Sequence, residues 1–250
     1  MKNLKLSLIA SMAITTLSFA GGNIEHTVIN KPVVNAPTTT EEVSSKDDKV
    51  EVGASMTMAT RNIFRGVDLN DNKGMMVSGS VDLAYKGLYL NVITSSRNSG
   101  NNKLEMDIYD GYKTNIAGIG IDIGHVTYLL PDTYQDFEST SKEIYLGVSK
   151  EIANYSAGVT FSYDYDAINM DGDDGVYNVQ LDAGAKAMYD IKLSANVGMS
   201  DAKSTDDYYF LLGATKSVGK FDLGVTYTGK YEDATDTTND HVVASVSTKF

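Results

Sequence analysis

The chain has 250 residues, no Cys, no Trp, 16 Tyr and a formal net charge of −12. The missing Cys excludes a disulfide framework, Cys-ligated metal and a thiol nucleophile, and so acidic a balance argues against nucleic acid, whose phosphates demand Lys and Arg patches. A hydrophobic share of 42% excludes a helical membrane protein but not a membrane barrel, whose strands mix apolar and polar residues.

Residues 1–20 read as a cleavable signal peptide. Lys2 and Lys5 supply a positive start, Leu6 to Leu17 an apolar run, and Ser18-Phe19-Ala20 the small residues before a cut after Ala20. That run is shorter than the roughly 20 residues a spanning helix requires. Residues 21–49, rich in Thr, Ser, Val, Asn and Glu and holding Pro32 and Pro37, show no sustained period. They bury too little to offset chain ordering, so a flexible periplasmic tail is expected.

From residue 50 to 250 one unit recurs, an alternating run and then a turn, as a strand with one dry and one wet face predicts. Val50, Val52, Ala54, Met56 and Met58 form the first dry face, with Phe64 closing it. Met75 to Tyr85, Leu88 to Val92, Leu104 to Ile108, Ile119 to Ile123, Ile144 to Val148 and Ala157 to Tyr163 follow. Then come Tyr177 to Ala183, Ile191 to Val197, Tyr208 to Ala214 and Phe221 to Tyr227. The last run, His241 to Phe250, sets Val242, Ala244, Val246 and Phe250 opposite Ser245, Ser247 and Lys249. Twelve strands with both ends on one side suit a closed antiparallel bacterial barrel, in which the last strand pairs with the first and no edge is left.

A soluble sandwich also alternates, and two further regularities favour the barrel. Tight connections (Lys86-Gly87, Asn115 to Gly118, Glu151 to Asn154, Asp190, Gly219-Lys220) take turns with long polar ones (Gly66 to Gly74, Arg97 to Lys103, Pro131 to Lys142, Asp166 to Gly175, Ser200 to Asp207, Glu232 to His241). Aromatic residues cluster at both ends of the dry faces: Tyr85, Tyr112, Tyr155, Tyr189, Phe221 and Phe250 by the short turns, Phe64, Tyr163, Tyr177, Tyr208 and Tyr227 toward the long loops. Two such levels match the girdles of a bilayer-spanning barrel. Asp110 fits badly. It shares parity with Ile108 and Tyr112, so either a bulge flips the register there or the carboxylate sits at an interface.

The first two hairpins resemble a known family. Phe64-Arg65-Gly66, Asp71-Asn72-Lys73, Gly79 to Tyr85, Lys86-Gly87-Leu88-Tyr89 and Leu104 to Tyr112 are similar to the opening segments of the TorF-type porins, with Gly74-Met75 where that family has Pro-Ala. The resemblance covers roughly residues 50–115 and implies an outer-membrane β-barrel, porin-like by topology, with no substrate attached. The terminal aromatic Phe250 likewise resembles the closing signal by which the barrel assembly machinery recognises its clients.

With dry faces toward lipid, the polar residues face a lumen. The pore-lining residues expected on this parity are Arg61, Asp82, Glu105, Asp107, Asp122, Glu143, Asp164, Asp182, Lys186, Lys192 and Asp222, and Glu51 and Lys249 point inward with them. Acids outnumber bases, and carboxylates in a low-dielectric wall concentrate cations and repel anions. The expected function is therefore a narrow diffusion pore for small solutes, cationic or neutral, in the outer membrane. The alternatives are a non-conducting barrel that binds or supports through its long acidic loops, its wall charges paired across a modest lumen, and an outer-membrane lipid hydrolase. No compact Ser-His motif supports the last, and Asp122 and His125, three apart, point to opposite faces and read as isolated residues. The run Asp171-Gly172-Asp173-Asp174-Gly175 lacks the alternating ligands and distant Glu of an EF-hand and reads as a solvated loop. Gly118-Ile119-Gly120 precedes no helix and is no nucleotide fingerprint. No enzyme activity, metal or cofactor is expected.

Overall fold

The computed structural model describes residues 49–70, 72, 74–99, 102–131, 137–165, 175–202, 205–233 and 235–250. The expected signal peptide, nearly all of the tail and Asp171 to Asp174 lie outside them. Fourteen strands follow in chain order: β1 (Glu51–Ala59), β2 (Ile63–Phe64), β3 (Val67–Asp68), β4 (Met76–Tyr85), β5 (Leu88–Ser99), β6 (Asn102–Ile116), β7 (Ile119–Pro131), β8 (Phe137–Ile152), β9 (Tyr155–Asp164), β10 (Val176–Lys186), β11 (Ile191–Ala202), β12 (Thr205–Val218), β13 (Phe221–Glu232) and β14 (Thr237–Lys249). All but β2 and β3 form one closed barrel of twelve, in which each strand pairs with its sequence neighbour and β14 returns to β1. At the seam Ser55 faces Lys249 and Ala59 faces Ser245. The Phe250 N–H donates to the Ala54 carbonyl at 2.9 Å. All twelve expected strands are present, and the expected closure is the observed one.

The strands run further than their apolar faces predict. β13 and β14 stay paired up to Glu232 and Thr237, β11 and β12 up to Ala202 and Thr205, and β5 and β6 reach Ser99 and Asn102. Most of what the sequence presents as long loop at these three places is therefore hairpin. Backbone pairing needs no apolar outer face, so the ladder continues where the dry pattern stops. Two of the short turns have positive φ at both central residues, Lys86 and Gly87 (49° and 87°) and Ala117 and Gly118 (53° and 78°). That is the type I′ turn whose twist suits two-residue hairpins.

The two faces sort by polarity in the reverse of an ordinary core. Val52 (71% exposed), Ile123 (57%), Phe161 (50%) and Val225 (57%) point outward, while Asp107, Asn178 and Thr228 are buried within. A wall dry outside and polar inside is what a lipid-facing barrel requires.

Inner tyrosines lie over glycines on the next strand. Tyr89 pairs with Gly111, Tyr145 with Gly124 and Tyr209 with Gly198. A Cβ on Gly124 would sit 2.4 Å from the Tyr145 hydroxyl and 2.5 Å from that of Tyr89. The missing side chain is the socket for the rings, a cross-strand aromatic–glycine fit that pins register. Gly124→Ala is expected to cost about 1–3 kcal/mol through overpacking, seen as a lower urea midpoint of the refolded barrel. Gly79→Ala, whose Cβ would meet nothing nearer than 3.7 Å, is expected to leave that midpoint in place.

Candidate functional site

The barrel interior is the candidate site, and the largest departure from the sequence reading lies inside it. The connection from β1 to β4 does not extend away as a free loop. Its β2–β3 hairpin, in which Ile63 faces Asp68 and Phe64 faces Val67, folds into the interior. Ile63 is fully buried with Ala59, Met76 and Val243. The Asn62 amide donates to the Ser96 carbonyl at 3.1 Å, and the Asn98 N–H donates to the Asn70 side chain at 3.0 Å. Asp68 accepts from the Asn70 N–H at 2.9 Å and from Arg61 at 2.7 Å, which ties the base of the hairpin together.

Its tip is Arg65-Gly66, with φ of 47° and 78°. Arg65 Nη2 lies 2.7 Å from Glu143 Oε2 on β8 and donates to Ser162 Oγ on β9 at 3.3 Å. Gly66 rides so close to β13 that a Cβ there would lie 2.4 Å from the Gly229 carbonyl. The hairpin therefore leaves the wall at β1 and contacts it again at β8, β9 and β13. Phe64, expected in the outer aromatic level, instead packs edge-on against Tyr128 inside, ring centroids 5.8 Å apart. Its period-two parity with β1 does not carry through the bend after Ala59. Burial alone lowers the pKa of Arg65, but Glu143, with help from Tyr128 and Tyr209, more than reverses this and holds it above its ordinary value. The tip thus stays cationic at any working pH.

The expected wall residues form no single constellation. Glu105 is met by Arg97 at 3.1 Å, and Glu143 by Arg65. Asp122 is held by Lys113 at 3.4 Å and by the Tyr89 hydroxyl, which donates at 2.8 Å. Asp164 accepts from the Ser141 hydroxyl, and Asp107 is buried beside the Tyr109–Tyr128 wall. Asp82 accepts from Ser80 and Asn91, Asp182 from Gln180 and from Asn196 at 2.8 Å, and Asp222 from Ser217. Arg61 belongs to the hairpin base rather than the barrel wall. Lys186 is exposed at the rim, 3.3 Å from Asp190, and Lys192 stands opposite it in register.

The partners that neutralise the wall acids, Arg65, Arg97 and Lys113, are absent from the sequence-derived set. Arg97 and Lys113 were legible, because period two continued from Tyr89 along β5 and from Tyr109 along β6 puts both inside. Arg65 was not, because only tertiary contact directs the hairpin inward. Asp122 and His125 do point to opposite faces, but neither is isolated. Asp110 faces His125 in an unbroken ladder, so no bulge turns it inward and it stands on the outer wall.

Charge is distributed unevenly along the interior. Toward the long-loop end the acids Asp68, Glu105, Glu143 and Asp207 each have a basic partner. Near the short turns Asp82, Asp122, Asp182 and Asp222 sit on β4, β7, β10 and β13, every third strand of the twelve. Among the described residues Asp82 and Asp182, diametrically opposed, have amide and hydroxyl partners and no basic one. No group of three or more His, Asp or Glu among the described residues could hold a metal ion.

The profile of a family described as "Bacterial protein of unknown function (Gcw_chp)" matches residues 44–250. No curated protein matches the chain. Among solved structures, one titled "KdgM porin" is similar with a TM-score of 0.55 at 8% identity, over 79% of this chain and 98% of that one. A "NanC porin" structure is similar with a TM-score of 0.53 at 9% identity, over 80% and 100%. At such identities the likeness is one of fold.

Proposed function

The chain belongs to the Gcw_chp family of bacterial proteins of unknown function, and from that premise we propose that it is an outer-membrane porin, a passive pore for small solutes. The observation that carries this reading is a closed twelve-strand wall, dry outside and polar inside. Such a wall satisfies every backbone group within the bilayer and offers solutes a wetted path. The TorF-type resemblance of the first hairpins and the porin-titled structures of like fold agree with it. The partners implied are outer-membrane lipid around the belt, the assembly machinery at the strand ending in Phe250, and small solutes within.

The β2–β3 hairpin narrows the pore, and the carboxylates Asp82 and Asp182 beyond it give the path a preference for cations over anions. Reconstitution in planar bilayers tests both points. Stepwise conductance with a cation-selective reversal potential in a salt gradient is expected, and a folded barrel that inserts without current steps contradicts the pore.

A second reading, a barrel closed by its own hairpin and serving a structural role, is favoured by the contacts of the tip with β8, β9 and β13. Liposome swelling in a graded sugar series separates the two. The pore admits the smallest sugars and excludes larger ones, whereas the closed barrel admits none.

A further inference from the structure

One group of side chains is left unexplained by a pore. On the outer wall Asp110 of β6, His125 of β7 and Tyr165, the residue after β9, form a line. His125 Nδ1 lies 3.3 Å from Asp110 Oδ1, and His125 Nε2 lies 3.0 Å from the Tyr165 hydroxyl. Asp110 is more than half exposed, and its second carboxylate oxygen has no partner among the described residues. The setting is apolar. Along the same face of β6 come Leu104, Ile108, Tyr112 and Ile116, while Ile123 and Ile144 flank His125.

Asp110 and His125 lie six positions from the short turn that joins β6 to β7, well inside the dry band. Hydrocarbon offers a carboxylate neither water nor a donor, so an ionisable side chain at this depth marks a place where something other than lipid meets the wall. Whatever meets it must itself be embedded at the same depth.

On the premise of a membrane-embedded barrel, we propose that the outer wall of β6 to β9 is a self-association surface, and that its occupant is a second copy of this chain. With both His125 ring nitrogens donating, Nδ1 to Asp110 and Nε2 to the Tyr165 oxygen, the line is complementary to itself, a carboxylate acceptor at one end and a phenol O–H donor at the other. A two-fold axis along the membrane normal, passing near His125, reverses it end for end. Asp110 of each protomer then faces the partner's Tyr165, whose O–H reaches the open carboxylate oxygen. The surrounding Ile108, Ile123, Ile144 and Leu146 supply the apolar contact around these hydrogen bonds. Such pairing resembles polar contacts between helices in membranes, where a side-chain hydrogen bond replaces an unmet one.

The chain lacks Cys, so a single introduced thiol reports its own surroundings. Full-length protein carrying Ile144→Cys, reconstituted in phospholipid vesicles and oxidised, is expected to give disulfide dimer about tenfold above Val225→Cys on the far wall. Adding Asp110→Leu, which removes the acceptor and suits lipid better, is expected to return that yield to the control level. Equal yields at residues 144 and 225, or a yield unchanged by Asp110→Leu, overturn the proposal. In the first case the face meets lipid or another membrane protein, and in the second the copies meet without the polar line. Flotation of the vesicles keeps the two readings apart. Protein that floats as monomer sinks only the self-association, whereas protein that does not float sinks the membrane barrel beneath it. The Asp110→Leu barrel is expected to keep the parent's single-channel conductance, because residue 110 lies outside the lumen.

Discussion

Arg65→Ala is expected to release the hairpin tip from the far wall and raise single-channel conductance, with larger current noise. The reason is electrostatic. Glu143, buried to 5% side-chain exposure, is matched by a guanidinium at 2.7 Å. Removing one member of a buried pair leaves the other uncompensated, at a cost of about 3–5 kcal/mol. At 3 kcal/mol the ratio of docked to undocked hairpin falls by roughly a hundredfold. The barrel itself should persist, since its twelve strands pair independently of β2 and β3. Glu143→Gln is expected to act in the same direction, and the double variant to cost less than the sum of the two single changes, as contacting partners do. Unchanged conductance and noise in both single variants would show that the hairpin does not limit the path.

The second large effect concerns selectivity. Asp82 and Asp182 stand across the interior from one another with amide and hydroxyl partners, whereas Asp68, Glu105, Glu143 and Asp207, nearer the long loops, have Arg or Lys beside them. Paired charges cancel in the far field, and unpaired ones set the potential that a passing ion meets. An ideally cation-selective pore reads about 59 mV in a tenfold salt gradient. The parent chain is expected between zero and that limit on the cation side, and the double variant Asp82→Asn/Asp182→Asn markedly nearer zero. Neutralising Glu105, whose charge Arg97 offsets at 3.1 Å, should likewise move the potential away from the cation side, because it leaves the Arg97 charge uncancelled. Should the parent prefer anions, or the double Asn variant match it, these two carboxylates do not control permeation.

Period two carried the barrel through the sequence because an apolar outside and a polar inside impose opposite demands on neighbouring residues. Every strand with an apolar outward side, from Val52–Met58 to Val242–Val246, was legible for that reason. Legibility ended where those demands end. Above the belt both faces of a strand meet water, so the paired stretch Thr237 to Asp240 of β14 reads as loop. Inside, most wall positions followed from parity. Lys113 was overlooked because the dry run of β6 pauses at Asp110, although Tyr112 and Ile116 resume it beyond. The inward fold of Phe64-Arg65-Gly66 has no periodic signature, since it is set by contacts with Tyr128, Glu143 and Gly229 far away in the chain. The positive φ at Arg65 and Gly66 leaves its trace only as an Arg-Gly dipeptide between apolar residues. Asp110, which breaks the pattern, proved to be a regular outward residue with a cross-strand partner rather than a register error.

The central claim is that oily residues meet lipid while polar ones meet water within, and β9 tests it most directly. Single-Cys variants from Ser156 to Ser162, spin-labelled one at a time in bilayers, report collisions with dissolved oxygen and with a water-soluble nickel chelate. Oxygen contact should peak at 157, 159 and 161 and nickel contact at 156, 158, 160 and 162, the two out of phase with a period of two. Equal nickel access at both sets, or oxygen peaks on the even positions, would contradict the barrel orientation and the pore with it.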